Sequence, residues 1–528
     1  MRICVSTTDT HNFFVCCSDL RGLFSVRSGK NCIFVYHWLL ITIEDRMKGF
    51  QATAILAVMI LTASCAGGNS GELKVDWKGT LKMDKMFCNP LLDFAYTADP
   101  TAVEYEGRLY VYGTNDQQQC DETHPDSSNS YERIKSLVMM STCDMVNWTF
   151  HGVIPTGKLA PWIIASWAPS ICSRVEQDGL THFYLYFSNS GFGTGVLTST
   201  SPTGPWTSPL GRSIVDAHTE GLGDCTVPFD PGVAIDDDGT GWLTFGAGKA
   251  RIARLAPDML SFDSPFAVIP AAHHFEANEL NFIGGKMVYT YNLDWKPKAD
   301  WDRNSETPSA CSMAYMIPDD PLDPDSWHYV RHYLRNPGDD GFDYSNNHTH
   351  LHKYKGRWYL FYHTMSLKRS RGIKGGYRSI CVDCIDVDES RQDIPLIHAT
   401  YQGVSQISPL NPFGIQEMET TAATVGVRFE PYGDAGNMVA VSDSTGAVMV
   451  RGACFDHKPR RLNIQAQGKG RIEVRRDNPE GELIACLDLD CPEMGTVRGR
   501  LSKSPHDTCD LVFLFRGDTL LIDSWYFE

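Results

Sequence analysis

Three acidic residues occupy comparable places in this chain. Asp99 in Ala98-Asp99-Pro100, Asp230 in Phe229-Asp230-Pro231 and Glu276 in Phe275-Glu276-Ala277 each stand at the head of a strand hairpin. Three carboxylates gathered in one pocket can divide the work of hydrolysis. An ionised one activates water, a protonated one gives its proton to a leaving oxygen, and a third biases that proton by like-charge repulsion. Cleavage of a glycosidic bond needs this division. Taken singly, an Asp before Pro is an ordinary turn residue. Glu276 also has a rival of equal chemistry in Glu279, and strand alternation turns the two to opposite faces.

The elements that must position these residues are short. From about residue 85 to 400 the chain reads as strands of four to seven residues divided by Gly, Asp and Asn turns. Val103 to Tyr112 is one hairpin, Val233 to Phe245 a second, Leu280 to Tyr291 a third and Leu351 to Tyr362 a fourth, with a further strand at His182–Ser188. Asp236, Asp237 and Asp238 read as a solvated turn rather than a metal loop. No long amphipathic helical segment separates the hairpins. About five repeats of this unit predict a β-propeller, in which the residues ahead of each inner strand converge on the axis. That convergence would let Asp99, Asp230 and Glu276 meet although they are far apart in sequence.

Residues 401–412 read as a turn-rich link and residues 66–84 as another. From Phe413 to Glu528 alternating strands such as Arg460–Gln465 and Asp510–Phe515 predict a β-sandwich. The expected class is therefore all-β: a five-bladed propeller over 85–400, then a jelly-roll-like sandwich over 413–528.

With 528 residues, 11% aromatics and 45 Gly plus 28 Pro, composition suits a two-domain β protein with many turns. A net charge of -17 argues against a nucleic-acid partner. Residues 47–65, MKGFQATAILAVMILTASC, read as an export signal whose apolar run is too short to span a bilayer. Small residues lead to Cys65, as in a bacterial lipoprotein signal, although Thr62 stands where Leu is usual; an ordinary secretory signal is the alternative. The expected location is the periplasm or outer membrane, with a lipid anchor at Cys65, or the exterior. Residues 1–46 precede this signal and read as an over-extended start. Of the 17 cysteines, Cys381 and Cys384 form a CxxC with no second pair, which reads as structural.

The region 85–400 resembles glycoside hydrolase family 43, the five-bladed enzymes acting on arabinose- and xylose-containing glycans. The resemblance rests on NPLLDFAYTADP (89–100), TCDMVNWTFHG (142–152), SWAPSI (166–171), FDPGVAIDDDGTGWL (229–243), FEANELNFIGGKMVYTY (275–291), NHTHLHKYKGRWYLFYH (347–363) and YRSICVD (377–383). It implies an inverting mechanism with Asp99 as general base, Glu276 as general acid and Asp230 as the residue that orients the acid and raises its pKa. Glu276 takes precedence over Glu279 because it holds the family's position after Phe. The resemblance also places His348 near the axis, where a central metal ion is touched, and Arg378 near the sugar. Trp167 is a plausible pocket wall, since a flat ring suits the C–H face of a sugar. His350 and His352 carry no assignment.

The region from 413 is similar to a family 6 carbohydrate-binding module, through GIQEMET (414–420), GRIEVRRDNPEGELIACLDL (470–489) and LLIDSWYF (520–527). That similarity implies a structural calcium ion at Glu417, Glu419 and Asp523. The chain departs from the module: no aromatic stands in Pro492–Thr496, and Leu521 replaces the expected asparagine. The module's usual sugar site is therefore in question.

The expected function is release of arabinose or xylose from plant hemicellulose by an α-L-arabinofuranosidase or β-xylosidase, with a polysaccharide or oligosaccharide as partner and no organic cofactor. The alternatives are a non-catalytic glycan-binding propeller, a galactan hydrolase of the same fold, and a retaining fructan-cleaving propeller. Retention of all three acids argues against the first. The last would carry a Trp-Met-Asn-Asp-Pro-type segment, which this sequence lacks.

Overall fold

A computed structural model describes residues 73–301, 306–432, 436–442, 444–517 and 519–528. Ahead of residue 73 it describes only the backbone of four short strands, Ile3–Cys4 paired with Phe14–Val15 and Ser25–Ser28 paired with Asn31–Phe34. The signal-like run 47–65 and Cys65 lie outside the described residues. Leu73–Glu528 forms one compact unit.

Five antiparallel sheets make the propeller. The first blade holds Ala98–Tyr105, Arg108–Thr114, Leu137–Thr142 and Trp148–Ile154. The second runs from Trp167–Val175 to Val215–Asp216, the third from Gly232–Ile235 to Ala267–Val268, and the fourth from His274–Ile283 to Trp327–Leu334. The fifth has three strands, His350–Tyr354, Arg357–Thr364 and Ser379–Ile385.

Alternation explains how the blades stack. In Arg108–Thr114, Leu109 and Val111 pack with Phe361, Ile380 and Val382 of the fifth blade, whereas Tyr110 and Tyr112 pack with Phe183, Leu185 and Phe187 of the second. Both faces are dry, so the strand reads as a nearly continuous apolar run. The incoming chain fastens to the last blade and closes the ring. Leu91 N–H donates to Ile380 O at 2.8 Å, and the Asn89 side chain exchanges hydrogen bonds with the Val382 backbone.

The C-terminal region forms a nine-stranded, nearly closed sheet around its own core. Arg461–Arg476 bends within it. Its first half pairs with Leu521–Phe527 and its second with Thr508–Arg516. The bend falls at Gly468 and Gly470, where a Cβ would come within 2.0 Å of Thr519 O and 2.2 Å of Arg516 O respectively. Only glycine lets the backbones approach this closely.

The two expected links are not free tethers. Leu73, Val75 and Met83 are buried against Met449, Val512 and Leu514, and Leu81–Asp84 is a helical turn. Gln406 and Ile407 bond to Asp144 of the first blade, and Leu410 bridges to Ala453 of the C-terminal sheet. Thr420–Thr421 pairs with Trp148–Thr149, adding a fifth strand to the first blade. Apolar side chains in both links, too sparse to show periodicity, find partners only in the tertiary structure.

Candidate active site

A left-handed backbone residue stands at or beside each of the three acids. Asp99 and Asp230 have φ of 51°, and Ala277, next to Glu276, has φ of 60°. Each is a strained conformation for a non-glycine residue. In the first and fourth blades the register slips there: Ala98 pairs with Thr114 but Thr101 with Tyr112, and Glu276 pairs with Asn292 but Glu279 with Thr290. A bulge at the head of an inner strand breaks the alternation and aims one side chain at the axis. It also separates Glu276 from Glu279.

Asp99 is buried in a dense network. Arg378 Nη1 donates to its Oδ1 at 2.9 Å and Thr114 Oγ1 to its Oδ2 at 2.7 Å. Its backbone N–H donates to His363 Nδ1 at 3.2 Å, and His348 Nδ1 lies 3.7 Å from Oδ1. Burial alone would raise the Asp99 pKa, but the neighbouring positive charge outweighs it and holds the carboxyl below its ordinary value. Arg378 carries that effect. His363 is pushed down to about 3 by burial and the Arg378 charge, so it stays neutral, and its Nε2 donates to Asn346 O at 2.8 Å.

Asp230 accepts from Ser188 Oγ at 3.1 Å and from Ala277 N–H at 2.9 Å, so it is tied to the backbone beside Glu276. Glu276 is half-buried, with Asn346 Nδ2 donating to Oε1 at 3.0 Å. Burial raises the pKa of both carboxyls, and Glu276 raises that of Asp230 further. Glu279 lies deeper, 1% exposed, hydrogen-bonded to His350 Nδ1 at 2.8 Å, and His350 Nε2 lies 3.3 Å from His352 Nδ1.

Arg378, which the resemblance places near the sugar, bonds directly to Asp99. It is 3% exposed and forks between Asp99 and Asp116, meeting both Asp116 oxygens at 2.9–3.0 Å, with Tyr131 stacked 4.8 Å away. Held through three of its N–H groups, the guanidinium positions the Asp99 carboxylate. Trp167 leans edge-on against Tyr131 and donates from Nε1 to Tyr131 O at 2.9 Å, forming a half-buried wall beside Arg378. Asp116, Tyr131, Thr114, Ser188, Asn346 and His363 escaped sequence reasoning. Asp116 lies in a short helix, Asp116–Glu122, where no strand pattern points to it. The Asp236 turn is as expected: its Oδ1 takes the N–H groups of Asp238 and Thr240. Cys381 is buried and Cys384 exposed.

The sequence pattern of glycosyl hydrolases family 43 matches residues 87–390. The chain belongs to this family. It is therefore a glycoside hydrolase, and the family 43 fold covers all five blades. Arabinoxylan arabinofuranohydrolase of Bacillus subtilis is 33% identical over 474 residues, 83% of this chain and 90% of that protein. The Paenibacillus polymyxa protein of the same name is 32% identical, over 76% of this chain and 67% of its own length. A crystal structure of a family 43 arabinoxylan arabinofuranohydrolase from Bacillus subtilis, in complex with cellotetraose, superposes with a TM-score of 0.78 at 31% identity, covering 85% of this chain and 99% of that one. The likeness to that protein thus extends past the propeller into the C-terminal sheet.

Large apolar residues are exposed at the catalytic end of this family 43 propeller. Ile164, Phe192, Trp295 and Tyr344 are 49%, 61%, 45% and 56% exposed, all in loops where inner strands begin or second strands end. Trp295 follows the strand whose Asn292 pairs with Glu276. Its loop is pinned by the Lys298 ammonium, which donates to Asp294 O, Asp294 Oδ1 and Lys296 O at 2.6–2.8 Å.

No group of three His, Cys, Asp or Glu among the described residues forms a ready-made metal shell. His348 contacts Asp99 alone among the acids within ion-pair range. At the C-terminal sheet, Glu419 is 3% exposed, and its Oε2 has no hydrogen-bond partner. Burial and the charges of Glu417 and Asp523 push its carboxyl up to about 8.

Proposed function

We propose that the protein is an inverting α-L-arabinofuranosidase that removes arabinose side chains from arabinoxylan. The observation that carries the mechanism is the opposite perturbation of two acids that share an electrostatic environment: Asp99 is held ionised and Glu276 is held protonated. Asp99, pinned by Arg378 and Thr114, takes a proton from water as the water attacks the anomeric carbon. Glu276 gives its proton to the departing glycosidic oxygen. Asp230 accepts the Ala277 N–H and so fixes the backbone beside Glu276. The names of the two relatives support arabinoxylan as substrate. Hydrolysis of aryl α-L-arabinofuranoside, with release of arabinose from wheat arabinoxylan, tests the reading; cleavage of aryl β-D-xylopyranoside alone would replace it with a β-xylosidase.

The exposed rim suits a polymer lying across the mouth while one side chain enters. Trp295, next to the acid, would stack on the leaving side of the bond. Trp295→Ala is expected to raise KM for arabinoxylan about tenfold, the worth of one lost stacking contact. KM for the aryl arabinofuranoside should barely change, and steady-state kinetics on the two substrates checks this.

The oxygen donors of Glu417, Glu419 and Asp523, with one buried oxygen unpartnered, suit calcium. The ion would neutralise three like charges beside the junction, where Asn437 bonds both Glu419 Oε1 and Phe150 O. Calcium is expected to raise Tm and EGTA to lower it, since a ligand bound a hundredfold above its Kd adds about 2.7 kcal/mol. Glu419→Gln should abolish the calcium response in differential scanning calorimetry. The signal-like run before Cys65 supports export as a lipoprotein; metabolic labelling with a radioactive fatty acid, lost in Cys65→Ser, tests the anchor.

A further inference from the structure

The C-terminal sheet has a polar face that catalysis leaves unused. In Arg461–Arg476, Leu462, Ile464 and Ala466 enter the core, so Arg461, Asn463 and Gln465 occupy the opposite face. The ladder sets Arg461 opposite Arg500 and Asn463 opposite Arg498 on one side. On the other side Asn463 faces Tyr526 and Gln465 faces Ser524. Like charges directly opposite on neighbouring strands repel. Farther along the same hairpin the arginines are matched: Arg471 with Glu473 and Asp488, Arg475 with Glu473, Arg476 with Asp507. Among the described residues Arg460, Arg461, Arg498 and Arg500 have no ion pair.

Beneath them lies Asn463. It is fully buried, yet neither its Oδ1 nor its Nδ2 has a partner. Arg461 also lines a hollow of about 480 Å³ with His457, Lys458, Arg460 and Glu528. Glu528 forms no ion pair with either arginine there. Ile415, one residue beyond the Gln416–Trp525 pair and so next in register to Tyr526, is 68% exposed. In a chain of net charge -17, this is a local excess of unpaired cations beside an amide, a phenol ring and an apolar side chain.

We infer that this face binds an anionic glycan, a chain whose uronic-acid carboxylates meet the unpaired guanidinium groups. Guanidinium forks match carboxylates in geometry and charge. The Gln465 amide serves sugar hydroxyls, and Tyr526 with Ile415 serves the C–H face of the ring. The site lies on a different sheet from the catalytic acids, so it recognises the polymer without touching the reacting bond.

Isothermal titration calorimetry on the full chain tests this with glucuronic-acid-bearing xylan, the same polymer after carboxyl reduction, and polyglutamate. Reduction of the carboxyls is expected to weaken binding about tenfold or more, and the double variant Arg461→Gln/Arg498→Gln to bind the native and reduced polymers equally weakly. Turnover of a soluble aryl arabinofuranoside by the double variant should match the parent, which shows that the fold survives and that any binding result is independent of the catalytic assignment. Undiminished binding of the reduced polymer, or by the variant, would overturn the inference. Equal affinity for polyglutamate would overturn it too, because the patch would then recognise charge without sugar.

Discussion

Glu276→Gln is expected to lower kcat on arabinoxylan by about 10²–10⁴-fold, the usual worth of a positioned general acid. The amide keeps the size of the side chain and its contact with Asn346, so Tm should hold. The loss should shrink steeply as the leaving group improves, because a dinitrophenolate departs without a proton. The pH profile supplies a second signature. Glu276 must be protonated, and its pKa is raised by burial, so the parent loses activity on the alkaline side as pH climbs through that raised value. The variant should lack this limb when assayed with the activated substrate. Full activity in Glu276→Gln, with Glu279→Gln inactive and folded, would transfer the acid role one step deeper. The Glu279–His350 hydrogen bond and the deeper burial of Glu279 argue against that.

Asp99→Asn should be the more severe change, about 10⁴-fold or beyond the assay's floor, and insensitive to the leaving group. Attack by water needs a base at every leaving-group pKa. Azide needs no deprotonation, so it should restore turnover in this variant and do nothing for the parent. The acidic limb of the parent profile belongs to Asp99. Its carboxyl is held low by Arg378, so activity persists below the ordinary carboxylate range near 3.9 and falls only as pH drops through the depressed value. The same depression contributes stability that is present above the unfolded pKa and lost as pH falls through the folded one. In Asp99→Asn, Arg378 keeps Asp116, so the guanidinium is not orphaned and the protein should remain folded.

The positions of the acids are legible in the sequence because each follows a residue pattern at the head of a hairpin, and hairpins of this length with two dry faces leave few alternatives to a propeller. What aims the acids is not legible. No residue type announces the strained φ at Asp99, Asp230 and Ala277, or the register slips beside the first and the last. Arg378 stands out in the sequence, but its tie to Asp116 does not, because Asp116 comes from a helix far earlier in the chain. Only the folded ring shows that both of its ends are occupied by carboxylates. Residues 66–84 and 401–412 read as links, yet Leu73, Met83 and Leu410 are buried, and Thr420–Thr421 joins the first blade. A segment with one or two apolar residues has no periodicity to read, and its docking depends on surfaces made elsewhere in the chain.

The stereochemistry of the first-formed product tests the assignment of Asp99 and Glu276 most directly. Proton NMR, recorded within the first turnovers of an aryl α-L-arabinofuranoside and before mutarotation, should show β-L-arabinofuranose. That is the outcome of a single displacement by water activated at Asp99. Initial formation of the α anomer would mean double displacement through a glycosyl-enzyme intermediate, and would contradict the proposed roles of all three carboxylates.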